Sequence, residues 1–79
     1  NAWLEALSNY RLAMQVEPYD EAAYVGAMQC QGHLGNSKGI NETLARCSRI
    51  VKSELDRLPL TTTMQAAREY LDLAISGHK

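Results

Sequence analysis

The stretch that decides the fold is residues 6–18, which read ALSNYRLAMQVEP. Ala6, Tyr10 and Ala13 follow one another at steps of four and three, which places them on one face of a helix. The two small side chains let a neighbouring helix approach, and the ring between them fills the remaining gap. Pro18 then ends the helix, because proline cannot continue the backbone hydrogen-bond ladder. The stretch therefore predicts a helix that packs against other helices.

The order alanine, aromatic, alanine, proline is typical of the second helix of a tetratricopeptide-type repeat, here with Tyr10 in the phenylalanine position. Helices of this kind cannot bury their apolar face alone. They stack in series and present a surface to other molecules. The pattern therefore favours a binding or assembly module over a catalyst.

Four helices are predicted, over residues 1–16, 21–34, 37–58 and 63–76. Their boundary signals are Pro18, the N-cap Asp20, a turn at Gly35, the N-cap Asn36 or Ser37, Pro59, and a capping box of Thr62 with Gln65. The expected fold is an all-α, tetratricopeptide-like, right-handed array of helical hairpins in a single module over residues 1–79. Because the helical pattern is already under way at residue 1, we expect the module to be a fragment of a larger protein. The last three residues, 77–79, are expected to be a frayed tail.

Apolar stripes at helical spacing define the predicted core. Its central members are Tyr10, Ala13, Tyr24, Ala27, Leu44 and Cys47. The stripe of the third helix continues to Leu55 and Leu58, and the fourth helix is expected to turn Met64, Ala67, Leu71 and Ala74 inward.

A second repeat is expected if the pattern returns after about 34 residues. Ile40, Leu44 and Cys47 keep the steps of four and three, and Tyr24 is the aromatic expected six residues after Pro18. Three residues depart from the pattern, with Met28 in place of glycine, Ile40 in place of alanine and Lys52 in place of proline. The second unit is therefore predicted to be a modified repeat with a longer helix.

The composition of the chain disfavours binding to nucleic acids and to membranes. The 79 residues are 46% hydrophobic and 22% charged, and the formal net charge is −1. The eight Lys and Arg residues form no basic block, so the sequence favours no contact with nucleic acid. No apolar run approaches the roughly 18 residues that a membrane helix needs, so we expect no membrane contact.

Catalytic chemistry finds little support in the residue pattern. Cys30 and Cys47 are interpreted as reduced, partly buried thiols, with a disulfide between neighbouring helices as the alternative. No cofactor and no metal site are expected. The carboxylates Glu17, Asp20 and Glu21 are interpreted as solvated groups at a helix start, favoured by the helix dipole.

A tentative interaction surface consists of Val25, Gln29 and His33, on the face of the second helix turned away from Tyr24, together with Trp3. An ordinary solvent-facing helix side is the alternative for the first three. Trp3 either packs against the second helix or a missing upstream helix, or binds a ligand.

The stretch 10–70 resembles the bacterial transcriptional activator domain, a tetratricopeptide-like module of antibiotic regulatory protein-type activators. The matching residues are Tyr10, Ala13, the run VEPYDEAAY at 16–24, Met28, Leu34, Gly35, Cys47, Glu54, Leu55, Pro59, Thr63 and Tyr70. Two positions depart from the family pattern. Residues 56–58 read DRL where the family usually has glycine and a short turn, and Ile40 occupies a position usually given to alanine.

The resemblance implies a cytoplasmic, non-enzymatic module of a transcriptional regulator. In that family a winged-helix DNA-binding domain precedes the module, and the module makes protein contacts. These contacts are self-association as a homodimer, docking on the upstream domain, or contacts with the transcription machinery. The alternative is a stand-alone tetratricopeptide adaptor that binds peptide segments. A third and weaker hypothesis is an accessory domain of a larger hydrolase or ATPase.

Overall fold

A computed structural model describes residues 1–77, and the predicted tail residues His78 and Lys79 lie outside the described residues. The chain forms four helices: α1 (Ala2–Val16), α2 (Glu21–His33), α3 (Ser37–Leu55) and α4 (Thr61–Ser76). No strand occurs within residues 1–77. The prediction of an all-α array of four helices is confirmed.

Side-chain caps begin the first three helices. Asn1 Oδ1 accepts a hydrogen bond from the Trp3 N–H at 2.8 Å, and Asp20 Oδ1 accepts one from the Ala22 N–H at 3.1 Å. For α3 the sequence left two candidates, and the structure selects Asn36, whose Oδ1 accepts from the Gly39 N–H at 2.9 Å. Each cap satisfies a backbone donor that has no partner inside its helix.

Gly35 makes the tight turn between α2 and α3. Its φ of 73° lies in the left-handed region, which glycine adopts without a steric penalty. The Gly35 N–H donates to the Gly32 carbonyl at 3.1 Å, and the Asn36 N–H donates to the Gln31 carbonyl at 2.8 Å. This pair of bonds is the Schellman motif, and it lets α3 start immediately after α2 ends.

The joint between α3 and α4 differs from the prediction. α3 ends at Leu55, three residues before the predicted end, because Asp56 adopts the left-handed conformation with a φ of 50°. Leu55 and Leu58, which were expected to continue the buried stripe, are exposed. α4 begins at Thr61, earlier than predicted, and its N-cap residue Leu60 makes no side-chain cap. The predicted capping box of Thr62 with Gln65 was therefore wrong.

α2 is the central helix of the array. It packs against α1, α3 and α4, while α3 also packs against α4. One apolar cluster joins α1, α2 and α3, with Leu7, Met14, Ala23, Tyr24, Ala27, Cys30, Cys47 and Val51. A second cluster joins α2, α3 and α4, with Met28, Ile40, Ala67 and Ala74. Of the four helices, α1 is the one that packs against a single neighbour, α2.

The predicted core needs two corrections. Ala13 is exposed, because α1 packs against α2 alone and Ala13 is turned about 100° around the helix from buried Met14. Met64, on the first turn of α4, is also exposed, whereas Ala67 and Ala74 of the same predicted stripe are buried and Leu71 is half-buried. Of the other predicted members, Tyr24, Ala27 and Cys47 are buried, and Tyr10 and Leu44 are half-buried.

Candidate functional site

The tentative surface residues do not form one open face. Val25 and Gln29 are half-buried, and Val25 packs against the apolar cluster shared with α4. His33 is exposed at the end of α2, and Trp3 is half-buried on the first turn of α1. The face of α2 that was expected to be free is thus partly covered by α4.

Trp3 and His33 form a stacked pair. Their ring centroids are 3.9 Å apart and the ring planes differ by 5°. Trp3 also packs against the cluster between α1 and α2. Of the alternatives that the sequence left open for Trp3, the structure favours packing against the second helix.

The outer face of α1 carries an exposed apolar row. Leu4, Leu12 and Val16 expose 55%, 60% and 78% of their surfaces. They stand at positions 4, 12 and 16, so with Ser8 they follow four-residue steps along a ridge that turns about 40° around α1 at each step. We call Leu4, Leu12 and Val16 the α1 row. The row was not predicted from the sequence, because these residues fall outside the stripe that contacts α2.

The α3–α4 joint exposes a second set of apolar side chains. Leu58 and Leu60 are exposed in the connection, and Met64 is exposed on the first turns of α4. The turn at Asp56 and the break at Pro59 hold the chain there in a non-helical path. This set is shorter and less regular than the α1 row.

Glu21 is a buried carboxylate, which corrects its interpretation as a solvated group. Its Oε2 accepts a hydrogen bond from Arg57 Nη1 at 2.7 Å, and its Oε1 accepts one from the Leu60 N–H at 2.9 Å. Burial alone would raise the pKa of Glu21, but hydrogen bonds from Leu60, Arg57 and Thr63 and the positive charge of Arg57 together outweigh burial and hold the pKa below its ordinary value. The group is fully engaged in joining α2 to the α3–α4 joint.

The two cysteines are free and buried. Burial and the neighbouring Glu21 carboxylate raise the pKa of Cys47 to about 11, and burial raises the pKa of Cys30. A reactive cysteine needs an accessible thiolate, so both thiols are suited to packing rather than to nucleophilic chemistry. Both thiols are free, as predicted, and they are more deeply buried than the partial burial that was expected.

No group of three or more His, Cys, Asp or Glu side chains within residues 1–77 is arranged to hold a metal ion. None of the helices described combines the length and the apolar character needed to cross a membrane. In comparisons with known proteins, no family model, no curated protein and no solved structure matches the chain.

Proposed function

We propose that this chain is a protein–protein interaction module whose contacts are made through the α1 row. The observation that carries the proposal is the exposure of Leu4, Leu12 and Val16 on a helix that packs against α2 alone. Single exposed aliphatic side chains are common on protein surfaces. Several of them on the uncovered side of one helix, as in the α1 row, form an apolar surface that another helix can bury.

A second copy of the chain is the partner that suits this row best. In a dimer with two-fold symmetry, the α1 row of one subunit would face the α1 row of the other. Two-fold dimers are the commonest homo-oligomers of proteins. Ala13 lies beside Leu12 and Val16 and is exposed, so two α1 backbones could approach closely there. Full burial of a leucine or valine side chain contributes roughly 1.5–3 kcal/mol. Leu12 and Val16 would therefore supply much of the association free energy.

The biological setting is inferred from the resemblance over residues 10–70. On this basis the chain is the helical module of a cytoplasmic bacterial transcriptional activator. A winged-helix domain upstream would bind DNA, and this module would contribute self-association, docking on that domain or contacts with the transcription machinery. It would act without catalysis or a cofactor and without touching nucleic acid. The four-helix array supports this proposal, since stacked helices present extended surfaces.

Sedimentation of the 79-residue chain from micromolar to near-millimolar concentration tests the proposal. We expect a reversible dimer in the wild type and a monomer in Leu12→Glu/Val16→Glu, because two buried like charges would face each other in the interface. Leu58→Glu is the matched control, since Leu58 exposes 74% of its surface, close to the 78% of Val16, but lies on another part of the molecule.

Two results would count against the proposal. One is a wild-type chain that stays monomeric at every concentration, combined with an α1 equally protected from hydrogen exchange in the presence and absence of an upstream domain. The other is a dimer that Leu58→Glu disrupts and Leu12→Glu/Val16→Glu leaves intact. The circular dichroism of each variant shows whether the fold has been kept.

A further inference from the structure

A polar groove runs between α1 and α3, on the side of α2 that neither helix covers completely. Its volume is about 580 Å³, which lies within the range of small-ligand and peptide-side-chain sites. Arg11 of α1 and Arg46 and Arg49 of α3 line it, together with a single acidic side chain, Glu42. The fold thus brings Arg11 next to the arginine pair of α3, in a chain whose net charge is −1.

None of these arginines is neutralised by a close carboxylate. Within residues 1–77 the ion pairs are Lys52–Asp56 and Arg57–Glu21, and neither involves the groove. Arg46 and Arg49 are three residues apart on α3, which places them about 60° apart around the helix and therefore on the same side of it. Their charge is available to an anionic ligand.

The floor of the groove holds a buried side chain with spare hydrogen-bond donors. Gln31 exposes only 3% of its surface and lines the groove. Its Oε1 accepts a hydrogen bond from the Thr43 hydroxyl at 3.0 Å, which fixes the amide. Among the described residues no acceptor takes the Nε2 protons, and this nitrogen is not sealed from solvent. A fixed, half-satisfied amide in a cavity is suited to donating to a carboxylate or carbonyl oxygen.

We propose that this groove binds an acidic peptide segment, with Arg11, Arg46 and Arg49 pairing with its carboxylates and the Gln31 amide donating to it from the floor. Guanidinium groups match carboxylates through paired N–H donors. Met14 and Ala45 supply apolar lining for the aliphatic part of a peptide. Glu42 at the same groove and the net negative charge of the chain disfavour a polyanionic nucleic acid.

This site is separate from the surface assigned to self-association. Leu12 and Val16 are turned about 100° and about 140° around α1 from Arg11, at about 100° per helical residue, while Leu4 lies on nearly the same side as Arg11 but about 10 Å away along the helix. A variant in the groove therefore leaves the α1 row intact, and a variant in the row leaves the groove arginines intact. Failure of one proposal can be distinguished from failure of the other.

The test is a titration of the 79-residue chain, followed by amide chemical shifts, with a blocked octapeptide of alternating glutamate and leucine. We expect shift changes centred on Arg11, Gln31 and Arg46, and binding that weakens as salt is added. Arg11→Gln and Arg49→Gln should each weaken binding roughly fivefold, and together roughly 20-fold. Arg68→Gln is the matched control, since Arg68 is exposed on α4 and outside the groove, and it should change affinity less than about twofold.

Two further ligands, a glutamine peptide and inorganic phosphate, show whether binding depends on the carboxylates of the peptide. The same octapeptide with glutamine in place of glutamate should bind at least roughly tenfold more weakly, and inorganic phosphate should compete only weakly. Equal binding of the glutamine peptide, equal loss in Arg68→Gln, or no acidic-peptide binding below about 1 mM overturns the assignment. Phosphate that binds more tightly than the peptide also overturns it and reassigns the groove to phosphate ligands.

Discussion

The carboxylate of Glu21, the first residue of α2, accepts the backbone N–H of Leu60, the residue just before α4, at 2.9 Å. A helix start normally finds its capping acceptor within its own segment. Here the acceptor comes from a residue 39 positions earlier in the chain. The same carboxylate also binds Arg57 in the α3–α4 joint. Glu21 therefore fixes the position of α4 relative to α2.

Glu21→Ala should destabilise the fold by roughly 2–4 kcal/mol. The variant leaves the Leu60 N–H without its acceptor and Arg57 without its ion-pair partner. Urea unfolding followed by circular dichroism measures the loss. Glu17→Ala is the control, since Glu17 is exposed and its side chain should contribute less than about 0.5 kcal/mol. Equal effects of the two variants would contradict the role assigned to Glu21.

The free energy of unfolding should fall on acidification in a way that depends on Glu21. Its pKa in the folded chain lies below the ordinary value of 4.5, so the ionised carboxylate contributes stability that is complete above this value. The contribution is lost as the pH falls through the folded pKa, where the group becomes protonated. Urea unfolding of wild type and Glu21→Gln at a series of pH values measures it. The difference between the two proteins should shrink below pH 4.5, and a difference that stays constant would show that Glu21 is not the titrating group.

The local part of the structure could be predicted from the sequence. The periodicity of apolar residues gave the number of helices, and short-range signals such as Asp20 and Gly35 gave the starts and ends of α2 and α3. These features depend on residues within one turn of one another. The end of α3 was missed because the left-handed turn at Asp56, which ends the helix ahead of Pro59, has no strong sequence signal.

The tertiary part could not be predicted, because it depends on which helices meet. Glu21 has the sequence signature of a solvated group at a helix start, and only the approach of the α3–α4 joint buries it. Ala13 has the spacing of a core residue, but no helix of residues 1–77 packs on its side of α1. Arg11 is far in the chain from Arg46 and Arg49 of α3, and it joins them at the groove only when α1 and α3 both pack against α2.

Tyr24→Ala should cost roughly 3–5 kcal/mol, and Leu44→Ala less, roughly 1–2 kcal/mol. Tyr24 is buried at the junction of α1, α2 and α3, and its hydroxyl donates to the Pro18 carbonyl at 2.9 Å. Leu44 is only half-buried, so its removal leaves a smaller cavity. Denaturant unfolding measures both, with exposed Tyr19→Ala as the aromatic control. A loss below about 1 kcal/mol for Tyr24→Ala would contradict its central place in the core.

Gly26→Ala should destabilise the chain by about 1 kcal/mol, although alanine is the better helix former. A Cβ atom at Gly26 would lie 2.3 Å from Cε1 of Tyr10, so the ring would have to move. In a Tyr10→Ala background the ring is absent, and Gly26→Ala should become stabilising by up to about 1 kcal/mol. A double-mutant cycle by urea unfolding measures this change of sign. Additive effects would show that the two residues do not meet.

The chain should not bind duplex DNA appreciably. Its net charge is −1, and the three groove arginines could neutralise only about three phosphates, which gives a weak and shallow salt dependence. Titration of a labelled duplex at low salt, read by fluorescence anisotropy, should show no saturation at micromolar protein. Arg11→Gln/Arg49→Gln provides the control, since any residual binding should fall in this variant. Micromolar, salt-sensitive binding by the wild type would contradict a module that works through protein contacts, and its loss in the double variant would place nucleic acid in the groove between α1 and α3.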